Sequence, residues 1–278
     1  MKNYLSLIMV LVLTVLMTAC GTANKPTPPT ADPTVELVVF AAASMTETLK
    51  EIAVLYKAAA PNVDLIFTFD SSGTLKTQIQ EGAECDIFIS AAPRQMNELD
   101  IKADASVNTE GLDFVLQGTR FNLLENRVTL CVPNGNPAGI ESFDDLAQML
   151  QSEDILLAMG NSDVPVGQYT QRILAYYNLD ENALASNGKI TYGSNVKEVT
   201  TQVSEASVSC GIIYCTDAFS ASLEIVDYAT VEMCGQVIYP AAVLNDSENA
   251  DAAKAFLDYL KTPEAMAVFE KVGFAAAF

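Results

Sequence analysis

The sequence has no histidine and no tryptophan, and its 15 lysines and arginines face 35 aspartates and glutamates, for a formal charge of -20. Without histidine there is no Ser-His-Asp or Cys-His nucleophile, no H-E-x-x-H zinc site and no imidazole base, which excludes most familiar hydrolase mechanisms. A surface this acidic repels phosphate backbones, so nucleic acid is not a partner. The six cysteines include no C-x-x-C pair, which speaks against structural zinc. Cys131 and Cys210 sit inside apolar runs and read as small buried thiols, although an exported chain with five mature cysteines also permits one or two disulfides. Neither a G-x-S-x-G elbow nor a Ser-x-x-Lys pair supports Ser44 or Ser72 as a nucleophile, so an exported enzyme is a poor reading.

Half of the 278 residues are hydrophobic and 18% are charged, the composition of a packed protein of about two globular units. Lys2 precedes an apolar run from Leu5 to Met17 that ends Met17-Thr18-Ala19-Cys20. The run is short for a membrane span, and small residues before a cysteine at this place resemble a bacterial lipoprotein signal. Residues 1–19 are then the signal peptide and Cys20 the lipidated N-terminus, with ordinary secretion as the alternative; Met17 stands where such signals usually carry leucine. The segment from Cys20 to Thr34 contains Pro26, Pro28, Pro29 and Pro33 and reads as an extended tether.

From Val35 onward, short β-rich runs alternate with helical periodicity. Strands are expected at Val35-Phe40, Val63-Phe69, Asp86-Ser90, Arg127-Val132, Ile155-Ala158, Ile190-Tyr192, Ser209-Tyr214 and Gln236-Leu244. Helices are expected at Thr46-Ala59, Thr74-Gln80, Phe143-Leu150, Gln168-Tyr177, Val196-Ala206, Asp251-Leu260 and Pro263-Val272. Continuous apolar strands joined by helices predict an α/β protein with mostly parallel sheets, whose ligand site lies at the carboxyl ends of strands.

At those ends the chain enters helices four times through small or capping residues: Ser44 with Glu47 in a capping-box spacing, Asp70-Ser71-Ser72-Gly73, Gly160 to Gly167 with Pro165, and Gly193-Ser194-Asn195. Each alone is an ordinary helix start. Together they offer unpaired N–H groups that could hold an anion without any lysine or arginine.

Phe40-Ala-Ala-Ala-Ser44, Ser71-Ser-Gly-Thr-Leu75, Cys85-Asp-Ile-Phe-Ile-Ser-Ala91, Val164-Pro-Val-Gly167, Gly211-Ile-Ile-Tyr-Cys-Thr-Asp-Ala218 and Tyr239-Pro240, in this order from about Val35 to Phe274, resemble the periplasmic molybdate-binding proteins of ABC importers. The resemblance implies a type II periplasmic-binding-protein fold, two α/β lobes joined by two crossover strands. Lobe 1 would comprise 35–126 and 237–278, and lobe 2 127–236. It also implies that Ser44 and Ser72 bind a tetrahedral oxyanion through hydroxyl and N–H, Val166 and Val196 through main-chain N–H, and Tyr214 through its phenol. Val166 replaces the family's usual alanine. The implied ligand is molybdate or tungstate, with no other cofactor and no metal cation, delivered by a monomer at the outer face of the cell membrane to a permease and its ATPase. A receptor for sulfate or another oxyanion, and a surface lipoprotein without a transport role, remain the alternatives.

Overall fold

In the computed structural model, residues 34–152 and 154–278 are described, so the expected signal peptide, Cys20 and the tether as far as Pro33 lie outside the described residues. The first strands are β1 (Val35–Ala42), β2 (Val63–Asp70), β3 (Ile87–Ile89) and β4 (Phe121–Asn126). The chain then crosses at Arg127 into a second sheet made of β5 (Val128–Val132), β6 (Leu157–Gly160), β7 (Ile190–Gly193), β8 (Cys210–Tyr214) and β9 (Glu224–Tyr228). It returns through Gly235 and Gln236 to β10 (Val237–Val243) and β11 (Ala275–Ala276) in the first sheet, whose order is β11-β4-β10-β3-β1-β2. The second sheet runs β7-β6-β8-β5-β9.

Both sheets are mixed, not mostly parallel. β1, β2 and β3 are parallel, as are β6, β7 and β8, because a helix carries the chain back between them. The strands that arrive directly from the other sheet, β5 and β10, have no such crossover and pair antiparallel on both sides.

Eleven α-helices are assigned among the described residues: α1 (Thr46–Ala59), α2 (Ser72–Gln80), α3 (Pro93–Leu99), α4 (Phe143–Ser152), α5 (Pro165–Tyr176), α6 (Glu181–Ser186), α7 (Val196–Ser204), α8 (Cys215–Ser220), α9 (Val231–Cys234), α10 (Ala250–Tyr259) and α11 (Pro263–Lys271). Their apolar stripes cover the sheets; in α7 the buried residues are Val196, Val199, Thr200 and Val203, one face of a 3.6-residue period. Alternate residues of β1 enter opposite cores: Leu37, Val39 and Ala41 join the large cluster, and Phe40 joins a smaller one with Leu75, Phe88 and Met96. A strand buried on both faces must be apolar throughout, which is why β3, β8 and β1 from Leu37 onward read as hydrophobic runs. Cys85, Cys131, Cys210, Cys215 and Cys234 are all free and buried.

Candidate functional site

The parallel strands of both sheets end at one small cavity. Its wall includes Ala42, Ala43 and Ser44 after β1, Asp70, Ser71 and Ser72 after β2, and Ala91 after β3. From the second sheet come Val164, Pro165 and Val166 after β6, Val196 after β7, and Tyr214 at the tip of β8. The five residues expected to bind an anion, Ser44, Ser72, Val166, Val196 and Tyr214, therefore share one wall. The cavity volume is about 10 Å³, room for about one water and far below the range of drug-sized pockets, so the site as it stands is shaped for a small ligand.

Three α-helices begin at the cavity. Ser71 is the N-cap of α2, its hydroxyl accepting from Thr74 N–H at 3.1 Å, which leaves Ser72 as the first helical residue. In α5 the N-cap Val164 offers no side-chain acceptor and Pro165 has no N–H, so Val166 presents the first main-chain donor of that helix. Asn195 caps α7 through Glu198 N–H at 3.1 Å, and Val196 follows it. The wall contains no lysine or arginine; the favourable potential for an anion there comes from helix ends and hydroxyls.

The Ser44 region differs from the expected capping box. Ala43–Met45 form a 3-10 turn, α1 starts at Thr46 without a side-chain cap, and Glu47 turns outward to Lys197. The Ser44 hydroxyl pairs instead with Tyr239 Oη at 2.8 Å. A glycine also has another reason than the one its turn implies. Gly73 is helical, and a Cβ there would lie 2.1 Å from the Asp163 carbonyl oxygen, so its bare Cα lets the loop after β6 close against α2.

Tyr214 Oη is buried and makes no hydrogen bond of good geometry among the described residues, the Tyr239 hydroxyl being near enough to act on it as an acceptor. The Tyr239 ring stands edge-on to it at 5.8 Å, but the Tyr239 hydroxyl is engaged with Ser44. Burial first, then the Tyr239 and Tyr169 phenols and the Asp217 carboxylate, hold the Tyr214 phenol well above its usual range, so it stays a neutral donor. A hydroxyl so placed in a cavity wall is the most informative single feature of the site, because a buried polar group without a good partner costs about 1–3 kcal/mol.

One acidic group departs from a wall of donors alone. The half-buried Asp70 carboxylate accepts from Ser71 N–H at 2.7 Å and from Asn195 Nδ2 at 3.3 Å. Nearby, Lys197 Nζ bridges Glu47 Oε2 at 2.7 Å and Asp217 Oδ1 at 3.1 Å. Asp217 is fully enclosed, and burial raises its carboxyl to about 6 against the opposing pull of Lys197. Asp70 opens one of the helix-entry segments but is not expected from the sequence to face the site, and the Lys197 bridge is marked by no sequence motif, since isolated charges carry no periodic signal.

A wider groove is lined by Lys76, Arg94, Tyr169 and Arg172 among others. Its cations are engaged: Lys76 and Arg94 with Glu98, and Arg172 with the Cys234 carbonyl.

Helix starts from two sheets, gathered around a small cavity and linked by two crossing strands, define a protein that binds a small solute. Residues 37–275 match the family of bacterial extracellular solute-binding proteins, and the chain belongs to that family. A Bacillus subtilis chain, YvgL, provisionally named an ABC transporter substrate-binding lipoprotein, is 32% identical over 270 residues, 97% of each chain. The molybdate-binding protein ModA of Haemophilus influenzae is 30% identical over 243 residues, covering 87% of this chain and 90% of that one. The periplasmic molybdate-binding protein of Azotobacter vinelandii superposes with a TM-score of 0.72 over 87% of this chain and 100% of that one, at 19% identity, a likeness of fold.

Proposed function

We propose that the protein captures molybdate, and tungstate by the same geometry, outside the cell and delivers it to the permease and ATPase of an ABC importer. In this reading it binds and does not catalyse. Residues 35–126 and 237–278 form one lobe and 127–236 the other, and the lobes separate about the crossings at Arg127 and Gln236 to admit the ion. Cys20 carries the lipid that holds the monomer to the outer face of the membrane, with 20–34 as its tether.

A dianion stripped of water loses a large hydration energy, which charge-assisted hydrogen bonds of about 1.5–3 kcal/mol each can offset in a closed cavity. The hydroxyl and N–H of Ser44 and of Ser72, the N–H groups of Val166 and Val196, and the Tyr214 phenol supply donors to all four corners of a tetrahedral ion. A wall so rich in donors favours an ion with no proton of its own, since an O–H on the ligand finds few acceptors. The donor from Val166 is main chain, so its larger side chain alters cavity shape without removing the contact.

The observation that carries the reading is the buried Tyr214 hydroxyl, without a hydrogen bond of good geometry among the described residues, in the same cavity wall as the first residues of α2, α5 and α7. Titration calorimetry of the purified protein with molybdate, tungstate, sulfate and hydrogen phosphate tests it. Molybdate and tungstate should bind much more tightly than hydrogen phosphate. A preference for sulfate would reassign the ligand, and heat from none of them would end the oxyanion reading.

A further inference from the structure

We infer that Asn126 and Tyr239, which lie where the chain crosses between the sheets, are positioning residues that reserve the Ser44 proton for the ligand. The inference rests on the cavity being an oxyanion site and states how one of its donors is kept available.

The direction of each hydrogen bond follows from the one group that can only donate. Arg127 main-chain N–H lies 2.8 Å from Asn126 Oδ1, so the amide oxygen faces Arg127 and the amide nitrogen faces the other way. That nitrogen reaches Thr216 Oγ1 at 3.0 Å and Tyr239 Oη at 3.2 Å. An amide nitrogen cannot accept, so Tyr239 Oη accepts there; either hydroxyl could donate across the 2.8 Å to Ser44 Oγ, and we assign the proton to Tyr239 because a phenol oxygen that already accepts one bond is the poorer second acceptor. Ser44 is thereby an acceptor toward Tyr239, and its own proton stays uncommitted at the cavity wall. Reversed, the chain would spend the Ser44 proton on Tyr239 and leave lone pairs toward an anion.

Ser72 follows the same logic by a shorter route. The Ala91 main-chain N–H donates to Ser72 Oγ at 2.9 Å, so this hydroxyl too keeps its proton for the cavity. The Ser44 route is distinctive because it runs through both crossings: Asn126 ends β4 and Tyr239 lies in β10, while Thr216 belongs to the helix that follows β8. The donor direction at Ser44 is therefore set by residues that touch no ligand.

Asn126→Asp replaces the donating amide by an acceptor and turns the chain around. Tyr239 would then donate to the carboxylate and Ser44 to Tyr239. Molybdate affinity, measured by titration of the full chain, is expected to fall about thirtyfold, partly from the added charge. Adding Tyr239→Phe in that background frees the Ser44 proton without removing the charge, and is expected to recover roughly fivefold. A role in structure alone would make the second substitution harmful or neutral, so a double variant that binds no better than Asn126→Asp overturns the inference. Should Asn126→Asp fail to melt cooperatively, Asn126→Ala decides: a loss of about fivefold in affinity that Tyr239→Phe restores supports the relay, and affinity that neither substitution changes overturns it. Wild-type chain that binds no oxyanion would overturn the cavity reading itself, and the relay with it, an outcome seen before any variant is made.

Discussion

Lys197 Nζ lies 3.1 Å from Asp217 Oδ1, and the same ammonium reaches Glu47 Oε2 at 2.7 Å on the helix that follows the first strand. One lysine thus answers a carboxylate enclosed beneath the second sheet's strand ends and a second, exposed carboxylate across the cavity. The enclosed member dominates the energetics, because neither of its oxygens has a hydrogen bond of good geometry.

Stability should therefore carry a pH signature from Asp217. Its carboxyl rises from 3.8 to about 6 on folding. Between those values the native state holds a proton that the unfolded chain releases, so this residue destabilises above about pH 6 and the penalty fades as pH falls toward 4. Asp217→Asn should gain about 1 kcal/mol relative to wild type on going from pH 5 to pH 7, most of it below pH 6. Urea unfolding of both chains at the two pH values measures this. Glu98 and Asp100, whose carboxyls are lowered on folding despite partial burial, act in the opposite sense below pH 4.5 in both chains and cancel in the comparison.

Tyr214→Phe and Ser72→Ala should part company. Phenylalanine removes a hydroxyl that makes no good hydrogen bond in the ligand-free protein, so stability should hold or rise by up to about 1 kcal/mol. Molybdate affinity should fall about 10- to 100-fold, the worth of one charge-assisted donor. Ser72→Ala should weaken binding similarly but also destabilise by about 1–2 kcal/mol, because it strands the Ala91 N–H that its hydroxyl now accepts. Thermal melts with and without molybdate, together with titration, separate the two.

Gly73→Ala places a methyl 2.1 Å from the Asp163 carbonyl oxygen. The loop after β6 and the start of α2 then cannot approach as they do, and affinity should drop by more than about tenfold while the separate cores remain folded. Small-angle scattering in saturating molybdate should show a larger radius of gyration than wild type. Unchanged affinity would mean that the Asp163 loop moves aside.

Asp70→Asn keeps an oxygen for Ser71 N–H and Asn195 while removing a negative charge from the cavity wall. Binding of a dianion should tighten by roughly fivefold to tenfold at low salt and by less at high salt. Titration at two ionic strengths tests both the gain and its electrostatic origin.

Much of the architecture was legible before any coordinates. β1, β2 and β8 are apolar enough to stand out, and α1, α7 and α11 keep their expected positions within a few residues because a buried stripe at 3.6-residue spacing has few other uses. The strands that escaped notice are β4, β9 and the two-residue β11. β9, Glu224–Tyr228, is an edge strand whose residues are exposed or half-buried, so its composition resembles a loop. Helices α3, α6 and α8 are short, and short helices rest on their neighbours more than on their own pattern.

What the amino-acid order determined by itself is the alternation of strands and helices, the absence of histidine chemistry, and the helix starts that present N–H groups without cations, since each of these depends on residues close together in the chain. The tertiary structure alone decided which hydroxyl is left without a good hydrogen bond, that Ser44 pairs with Tyr239, and why Gly73 must lack a side chain. Those relations join residues as far apart as Ser44 and Tyr239, and only the folded chain brings such distant groups within the few ångströms over which a hydrogen bond or a steric clash acts.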